Sequence, residues 1–377
     1  MAKIVLIGAY PESLVYFRGE LIKSMIAKGH HVVTMAAPAE AEIVERIIAC
    51  GAEFIPYPVE RSGVNPLKDA QTFLFLKKEL SRIEPDVVLA YTIKPVIWGG
   101  LACRAVSGTR FYAMIEGLGF SFNSDTRLRT MLKALVIKMY RLSLLNAEKI
   151  FFLNKDDPIV FLSHKIVSSN KCVHIDGIGI DLNHFKATGF PERPIVFLSI
   201  ARLLNQKGIR IYAEAASLVK KRYPDVLFRL LGIPDQSPDG IPIEEIQKWH
   251  DTKCIEYLGV TDDVRPYLGS CHVFVLASFY GEGLPRTIME AMSTGRPILT
   301  TDNVGCRETV MPGQNGFLVS PKDAKGLAER MIWFVEHPDA IVHMGKISRF
   351  IAEHRFDVKK INCEICTIMG IGNSTDG

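Results

Sequence analysis

Long apolar runs are missing from this sequence. No stretch reaches the ~18 uninterrupted apolar residues that a bilayer-spanning helix needs, so no transmembrane helix is expected. A cleavable leader is not expected either. The first apolar run, Ile4-Val5-Leu6-Ile7, follows a single Lys and stops at Gly8, which suits a strand and is too short for a signal h-region. Paired cysteines are scarce: of eight (Cys50, Cys103, Cys172, Cys254, Cys271, Cys306, Cys363, Cys366) only the last two form a close C-x-x-C. A zinc site needs a second ligand pair, and a redox motif opens a helix after a strand, whereas this pair falls inside the last helical segment. Reduced bystander thiols of a cytosolic protein are the expectation. The ten histidines, His30-His31 included, show no metal-ligand spacing and read as structural or surface groups. Excess charge of one sign is also lacking. A net charge of +4 is too small to argue for nucleic acid, and no basic-aromatic face accompanies it. It is compatible with a phosphorylated ligand or an anionic membrane surface. Repeats and low-complexity segments are absent, apart from a short polar tail, Asn373 to Gly377, expected to fray.

What is present is an ordinary globular balance, 48% hydrophobic and 23% charged over 377 residues. That length suits two domains, each able to bury a core. Short apolar runs alternate with helical patterns. In the first half, strands are read at 3–7, 31–35, 53–56, 86–90, 111–115, 151–154 and 172–175, with helices at 14–28, 39–50 and 69–82. The pattern restarts with Pro194 to Ile200. Strands 227–231, 255–258, 273–277 and 297–300 follow, alternating with helices 208–222, 241–250, 262–269 and 284–294. Continuous apolar strands between helices predict parallel sheets covered on both faces. The expected class is α/β, with two doubly wound, Rossmann-like parallel-sheet domains facing across a cleft, because ligands of such sheets bind beyond the strands' carboxyl ends. The segment 185–194, with Pro191 and Pro194, reads as the linker. The boundaries expected are 1–187 for the first domain, 188–352 for the second, and 353–377 for a C-terminal helix and tail packing back on the first.

Two segments carry chemistry. In Ser278 to Met292 a strand ends, a glycine-flanked turn carries Glu282, and a helix begins near Pro285. Backbone N–H groups of Gly283 and Leu284 there can face an anion. Glu290 lies about two turns beyond Glu282, so one carboxylate can address a sugar and the other a ribose; two solvated glutamates on a capped surface helix are the alternative. The second segment is Ala201 to Gly208. Arg202 and Lys207 leave a strand's carboxyl end just before a helix and can hold a diphosphate, offsetting charge on a leaving nucleotide. Solvated surface cations are the alternative there.

Taken together, these residues resemble the family-4 retaining glycosyltransferases of GT-B fold, over nearly the whole chain. The resemblance rests on Gly179-Ile180-Asp181 with Phe185, on Arg202 and Lys207, on Tyr257-Leu258-Gly259, and on Glu282 and Glu290 at the family's Glu-x7-Glu spacing. It implies a UDP-sugar donor. Arg202 and Lys207 would bind its diphosphate, Glu290 the ribose, and Glu282 the transferred sugar near its C3 hydroxyl. Gly283, Leu284 and Pro285 would lie along the sugar and phosphate, with Leu258 and Gly259 near the base. It also implies no catalytic metal, no cofactor and no covalent nucleophile; the sequence holds no D-x-D.

The first domain would hold the acceptor. Gly8-Ala9-Tyr10 follows the first strand and can let a phosphate or sugar approach the backbone. Many relatives carry a histidine after the strand at 111–115, where this sequence has Ile115-Glu116-Gly117-Leu118-Gly119-Phe120. Glu116, with Gly117, is then the candidate to take that role. With Tyr16-Phe17-Arg18 upstream, the variant is similar to a bacterial subgroup that adds N-acetylhexosamine-type sugars to undecaprenyl-diphosphate-linked acceptors in surface polysaccharide assembly. Arg18 and Lys94 become candidates for the acceptor's diphosphate, beside Tyr16; ordinary helix-end and loop cations are the alternative. In Arg127 to Lys149, Leu128, Leu132, Leu135, Met139 and Leu142 recur at helical spacing among Arg127, Arg129, Lys133, Lys138 and Arg141. Such a helix can lie on an anionic bilayer or pack on the core with a basic edge. The expected reading is a retaining glycosyltransferase with Glu282, Arg202, Lys207 and Glu116 as candidate catalytic groups. It would be cytoplasmic and peripheral on the membrane's inner face, with a UDP-sugar and a lipid-linked glycan as partners and no nucleic acid. The alternatives are a GT-B-type nucleotide-sugar epimerase and a non-catalytic nucleotide-sugar-binding protein.

Overall fold

The computed structural model describes residues 1–60, 65–118 and 127–372. The chain forms two compact units, Met1–Gly179 with the chain end from Val358, and Ile180–Asp357.

Unit 1 holds seven described strands: β1 (Lys3–Ile7), β2 (His31–Ala36), β3 (Glu53–Pro56), β4 (Val87–Tyr91), β5 (Arg110–Ile115), β6 (Ala147–Phe152) and β7 (Cys172–His174). They pair in parallel in the order β3-β2-β1-β4-β5-β6-β7. The direction of winding reverses between β1 and β4, the point at which doubly wound sheets leave a crevice at their carboxyl edge. Val5, Ile7, Val88 and Ala90 are buried on both faces, as their unbroken apolar runs require. The helices are α1 (Glu12–Tyr16), α2 (Gly19–Ala27), α3 (Ala41–Ala49), α4 (Pro66–Ile83), α5 (Ile93–Cys103), α6 (Arg127–Ser143) and α7 (Asp156–Ser163).

Four sequence expectations change here. The single helix expected over 14–28 is two, because α1 stops where Phe17 N donates to Ser13 O and Arg18, with φ −122° and ψ −7°, turns its side chain inward. Helix α4 starts three residues before the expected point, since Asn65 Oδ1 caps Leu67 N and Lys68 N, with Pro66 at the first helical position. Helix α5 was not read at all. Pro95 and Gly99-Gly100 argue against a helix locally, but seven of its eleven residues are buried in packing on its neighbours, and packing overrides propensity. The helix expected over 127–149 ends at Ser143, and Ala147–Phe152 joins the sheet as β6. The strand expected at 151–154 therefore sits earlier. Asn154 instead caps α7, its Oδ1 accepting from Asp156 N and Asp157 N.

Unit 2 contains β8 (Val196–Ile200), α8 (Ile209–Lys220), β9 (Leu227–Leu231), α9 (Ile243–Asp251), β10 (Glu256–Tyr257), α10 (Arg265–Gly269), β11 (Val273–Leu276), α11 (Arg286–Ser293), β12 (Ile298–Thr301), β13 (Gly316–Val319), α12 (Ala324–Glu336) and α13 (Pro338–Arg355). Its parallel sheet runs β10-β9-β8-β11-β12-β13, again reversing direction between β8 and β11. The chain passes into unit 2 at Gly179–Ile180, ahead of the expected 187/188 boundary. The segment read as a linker is fastened to unit 2. Phe185 is buried, Arg349 Nη1 donates to its carbonyl at 2.8 Å, and the buried Arg296 donates to Gly189 O at 2.8 Å with its guanidinium 4.4 Å from the Phe190 ring. Unit 2 ends at Asp357 rather than 352, and the last helix, α14 (Val358–Ile368), packs on α2 of unit 1. On α14, Cys363 is exposed and Cys366 buried, and all eight cysteines are free. Asn373 to Gly377 lie outside the described residues.

Candidate functional site

In unit 2 the chemistry gathers at the carboxyl edge of β8, β11 and β12. After β8 a short 3-10 turn, Asn205–Lys207, leads into α8. Lys207 Nζ lies 2.5 Å from Glu282 Oε1, which also accepts from Ser278 Oγ at 2.9 Å. Both ionic side chains are mostly buried, so their pairing is screened less than a surface ion pair. Arg202 is 46% exposed and pairs with Asp235 Oδ2 at 3.1 Å. Hydrogen bonds from Ser237, and then the Arg202 charge, hold the Asp235 carboxyl below its usual range. Pro285 is the N-cap of α11, one position before the first helical turn expected for it. Gly283 and Leu284 are buried in front of it. Glu290 is buried on α11, with Arg286 Nε 2.7 Å from its Oε1. Burial raises the Glu290 pKa, and the Arg286 charge opposes that rise.

Leu258 and Gly259 follow β10 and meet the start of the loop after β9. Leu258 N donates to Leu230 O at 2.8 Å, and Gly232 N donates to Gly259 O at 3.0 Å. Gly179-Ile180-Asp181 plays a local structural part: Asp181 Oδ1 accepts from Asn183 N and His184 N. Three supporting groups escaped the sequence reading. Asp235 engages Arg202, Ser278 engages Glu282, and the loop after β12 braces the Glu282 turn. In that loop Asn303 Nδ2 donates to Tyr280 O at 2.5 Å, and Val304 O accepts from Glu282 N at 3.3 Å. The signal available was Asn303 and Gly305 directly after a buried strand, the pattern already used for the turns after β8 and β11. Behind the same turn Cys306 is fully buried, and burial pushes its thiol up to about 12, so it is no nucleophile.

In unit 1 the corresponding edge lies at the ends of β1, β4 and β5. At Gly8 a Cβ would lie 2.3 Å from the Tyr91 hydroxyl, so glycine there admits that ring. Tyr91 is buried, its OH is 2.8 Å from Ser13 Oγ, and burial raises its pKa. Arg18, expected at a ligand phosphate, is 2% exposed and forms an ion pair with Glu116, whose side chain is 25% exposed. Gly117, at φ +124°, turns the chain immediately after Glu116. Gly119 and Phe120 lie outside the described residues. Lys94 is engaged by Asp69 of α4 at 2.9 Å with both side chains mostly buried. Tyr16 lies on the surface, its OH accepting from Arg46 Nη1 at 2.7 Å beneath a stacked guanidinium. The fold thus joins Arg18 and Glu116 and gives Tyr16 and Lys94 partners of their own.

Helix α6 buries Val136, Ile137 and Tyr140, while Met131, Leu135 and Leu142 face solvent with Lys138 and Arg141. Of the stripe read from sequence, Leu132 and Met139 pack against the core; the side chains of Arg127, Leu128 and Arg129 lie outside those described. Among the described residues no helix is long and apolar enough to cross a membrane, and no group of three His, Cys, Asp or Glu could hold a metal.

Comparison with known proteins follows the same order along the chain. The family described as Glycosyl transferase 4-like matches residues 3–154, and that described as Glycosyl transferases group 1 matches residues 194–337. Over 349 residues the chain is 28% identical to the N,N'-diacetylbacillosaminyl-diphospho-undecaprenol alpha-1,3-N-acetylgalactosaminyltransferase of Campylobacter jejuni, covering 89% of each chain. It is 25% identical to the UDP-Gal:alpha-D-GlcNAc-diphosphoundecaprenol alpha-1,3-galactosyltransferase of Escherichia coli, covering 72% of this chain and 71% of that protein. A solved Anabaena protein, crystallised with UDP and glucose, shares the fold with a TM-score of 0.78 at 16% identity, covering 98% of this chain and all of the other (100%).

Proposed function

We propose a specific reaction for this chain, which belongs to the glycosyltransferases of GT-B fold: transfer of an N-acetylhexosamine, or a derivative of one, from a UDP-sugar to an undecaprenyl-diphosphate-linked glycan, with retained configuration and without metal. The observation that carries it is the Lys207–Glu282 ion pair at the carboxyl edge of the unit 2 sheet, with Arg202 following the same strand as Lys207 and Glu290 buried on the helix that follows the Glu282 turn. Lys207 and Arg202 supply the cations that a leaving diphosphate needs. Glu282, fixed by Ser278 and Lys207, presents a carboxylate to sugar hydroxyls, and Glu290 serves the ribose. The bond from the sugar's C1 to the β-phosphate oxygen breaks, its electron pair leaving with UDP. The acceptor oxygen bonds to C1 on the same face, and its proton passes to the departing phosphate. Glu116 serves the acceptor in unit 1. The undecaprenyl-diphosphate-linked substrates of the Campylobacter jejuni and Escherichia coli relatives support the lipid-diphosphate acceptor. Met131, Leu135 and Leu142, exposed on α6 beside Lys138, support peripheral contact with an anionic cytoplasmic membrane.

Thermal unfolding with nucleotide diphosphates and nucleotide sugars, in the absence of metal, tests the donor half. A ligand at a hundredfold excess over its Kd stabilises the native state by about 2.7 kcal/mol. A shift of several degrees is expected with UDP and with one UDP-N-acetylhexosamine, and none in Arg202→Ala/Lys207→Ala. An unshifted wild type, or a double mutant that responds normally, refutes the donor site. Transfer to an undecaprenyl-diphosphate-linked sugar then tests the acceptor half.

A further inference from the structure

Two arginines are among the largest fully buried side chains of this protein, Arg18 and Arg296. They are satisfied differently. Arg296 gives its N–H groups mostly to main-chain carbonyls, those of Leu268 and Gly189 among them. Arg18 donates to Phe17 O and to Met114 Sδ, each at 3.1 Å, and its remaining charge is met by the Glu116 carboxylate. The Tyr91 ring lies beneath the guanidinium, 4.5 Å from centroid to Cζ, and Ser13 fixes the Tyr91 hydroxyl from the other side. These partners come from four places in the chain: the turn between α1 and α2, the end of β4, the end of β5, and α1 itself. Where Arg296 relies on carbonyls, the buried Arg18 charge is compensated, among the described residues, by the Glu116 carboxylate. The carboxylate, by contrast, keeps a quarter of its surface open. The arginine faces inward; the glutamate faces both ways.

We infer that Arg18 is a positioning residue, not a phosphate ligand: its buried guanidinium, held by Phe17 O and Met114 Sδ, fixes the Glu116 carboxylate through Nη2 on Oε1 at the carboxyl edge of the unit 1 sheet, leaving the rest of that carboxylate for the acceptor. The inference rests on the assignment of Glu116 to the acceptor made above. Lysine cannot hold these contacts together, because it offers a point charge on a flexible stem where the planar guanidinium spreads its donors over Phe17 O, Met114 Sδ and Glu116.

Steady-state transfer from the UDP-sugar to a diphosphate-linked acceptor distinguishes the possibilities, using R18M, R18K, E116Q and R18M/E116Q. A misplaced active-site group costs on the order of 100-fold in rate. That loss in kcat is expected for R18M and for E116Q, with the double variant no slower than E116Q and acceptor KM and UDP affinity within about twofold of wild type; R18K should fall between, about tenfold down. An R18M variant whose acceptor KM rises at constant kcat, with the defect vanishing on a monophosphate-linked acceptor, makes Arg18 a phosphate ligand and overturns the inference. E116Q slow with R18M at wild-type rate also overturns it, while the Glu116 assignment stands. E116Q at wild-type kcat and KM removes that assignment and the inference with it. Should R18M fail to fold by circular dichroism, R18K decides: a tenfold loss supports positioning, and a wild-type rate refutes it.

Discussion

The ribose role proposed for Glu290 would come at some expense to the fold. The side chain is buried on α11, and burial raises its pKa even though Arg286 lies within hydrogen-bonding reach. A carboxyl whose folded pKa lies above its unfolded value favours the native state below the unfolded pKa, and that contribution is lost as pH rises through the folded value. Replacing it with the neutral isostere in Glu290→Gln removes the dependence. The unfolding temperature of the variant relative to wild type should therefore be higher at about pH 8 than at about pH 5, because the contribution of the neutral carboxyl is lost as pH rises above the ordinary glutamate range. Parallel melts at the two pH values measure this, and a constant difference would mean that the charge is fully compensated in place. On the proposed ribose role, the same substitution should weaken UDP binding, since a carboxylate acceptor for ribose hydroxyls is replaced by an amide. Such a trade of stability for ligand contact is expected at a binding site.

Helix α6 is the element with two faces. Val136, Ile137 and Tyr140 anchor it to the unit 1 core, so its presence is explained by ordinary burial. Met131, Leu135 and Leu142 are not explained that way, because they stand in solvent beside Lys138 and Arg141. A basic residue near an anionic surface contributes about 1 kcal/mol, roughly fivefold in partition. Lys138→Ala should reduce binding to phosphatidylglycerol vesicles by about that factor, and Met131→Ser/Leu135→Ser should reduce it further, with UDP binding unchanged. Co-sedimentation with vesicles reads the effect. Wild-type protein that stays in the supernatant would remove the membrane assignment, and the exposed side chains would need another partner.

Across the whole molecule the chain enters unit 2 once and returns, so unit 1 is assembled from both ends of the sequence. On the returning α14, Val358, Ile361 and Ile365 are buried. Each such side chain contributes about 1.5–3 kcal/mol, and together they approach the ~5–15 kcal/mol stability of a typical domain. A chain stopped after Asp357 should lose the calorimetric transition of unit 1, or show it at a much lower temperature, while unit 2 still unfolds later in the presence of UDP. An unchanged pair of transitions would mean that α14 contributes little. The parallel α/β architecture was legible in the sequence, and so was the position of Lys207 and Glu282 at the ends of strands of one sheet, where they pair. Unbroken apolar strands alternating with helical patterns are local signals, and the fold class follows from them. Helix α5 was illegible because its Pro95 and Gly99-Gly100 are unfavourable locally and are accepted only through packing. What each charge faces emerged only from the folded arrangement. Arg18 and Lys94 look alike as isolated cations in a sequence, and their partners Glu116 and Asp69 lie far along the chain in the first case and on another helix in the second. Ion pairing depends on distances of a few ångström between segments remote in sequence, and no periodicity records those.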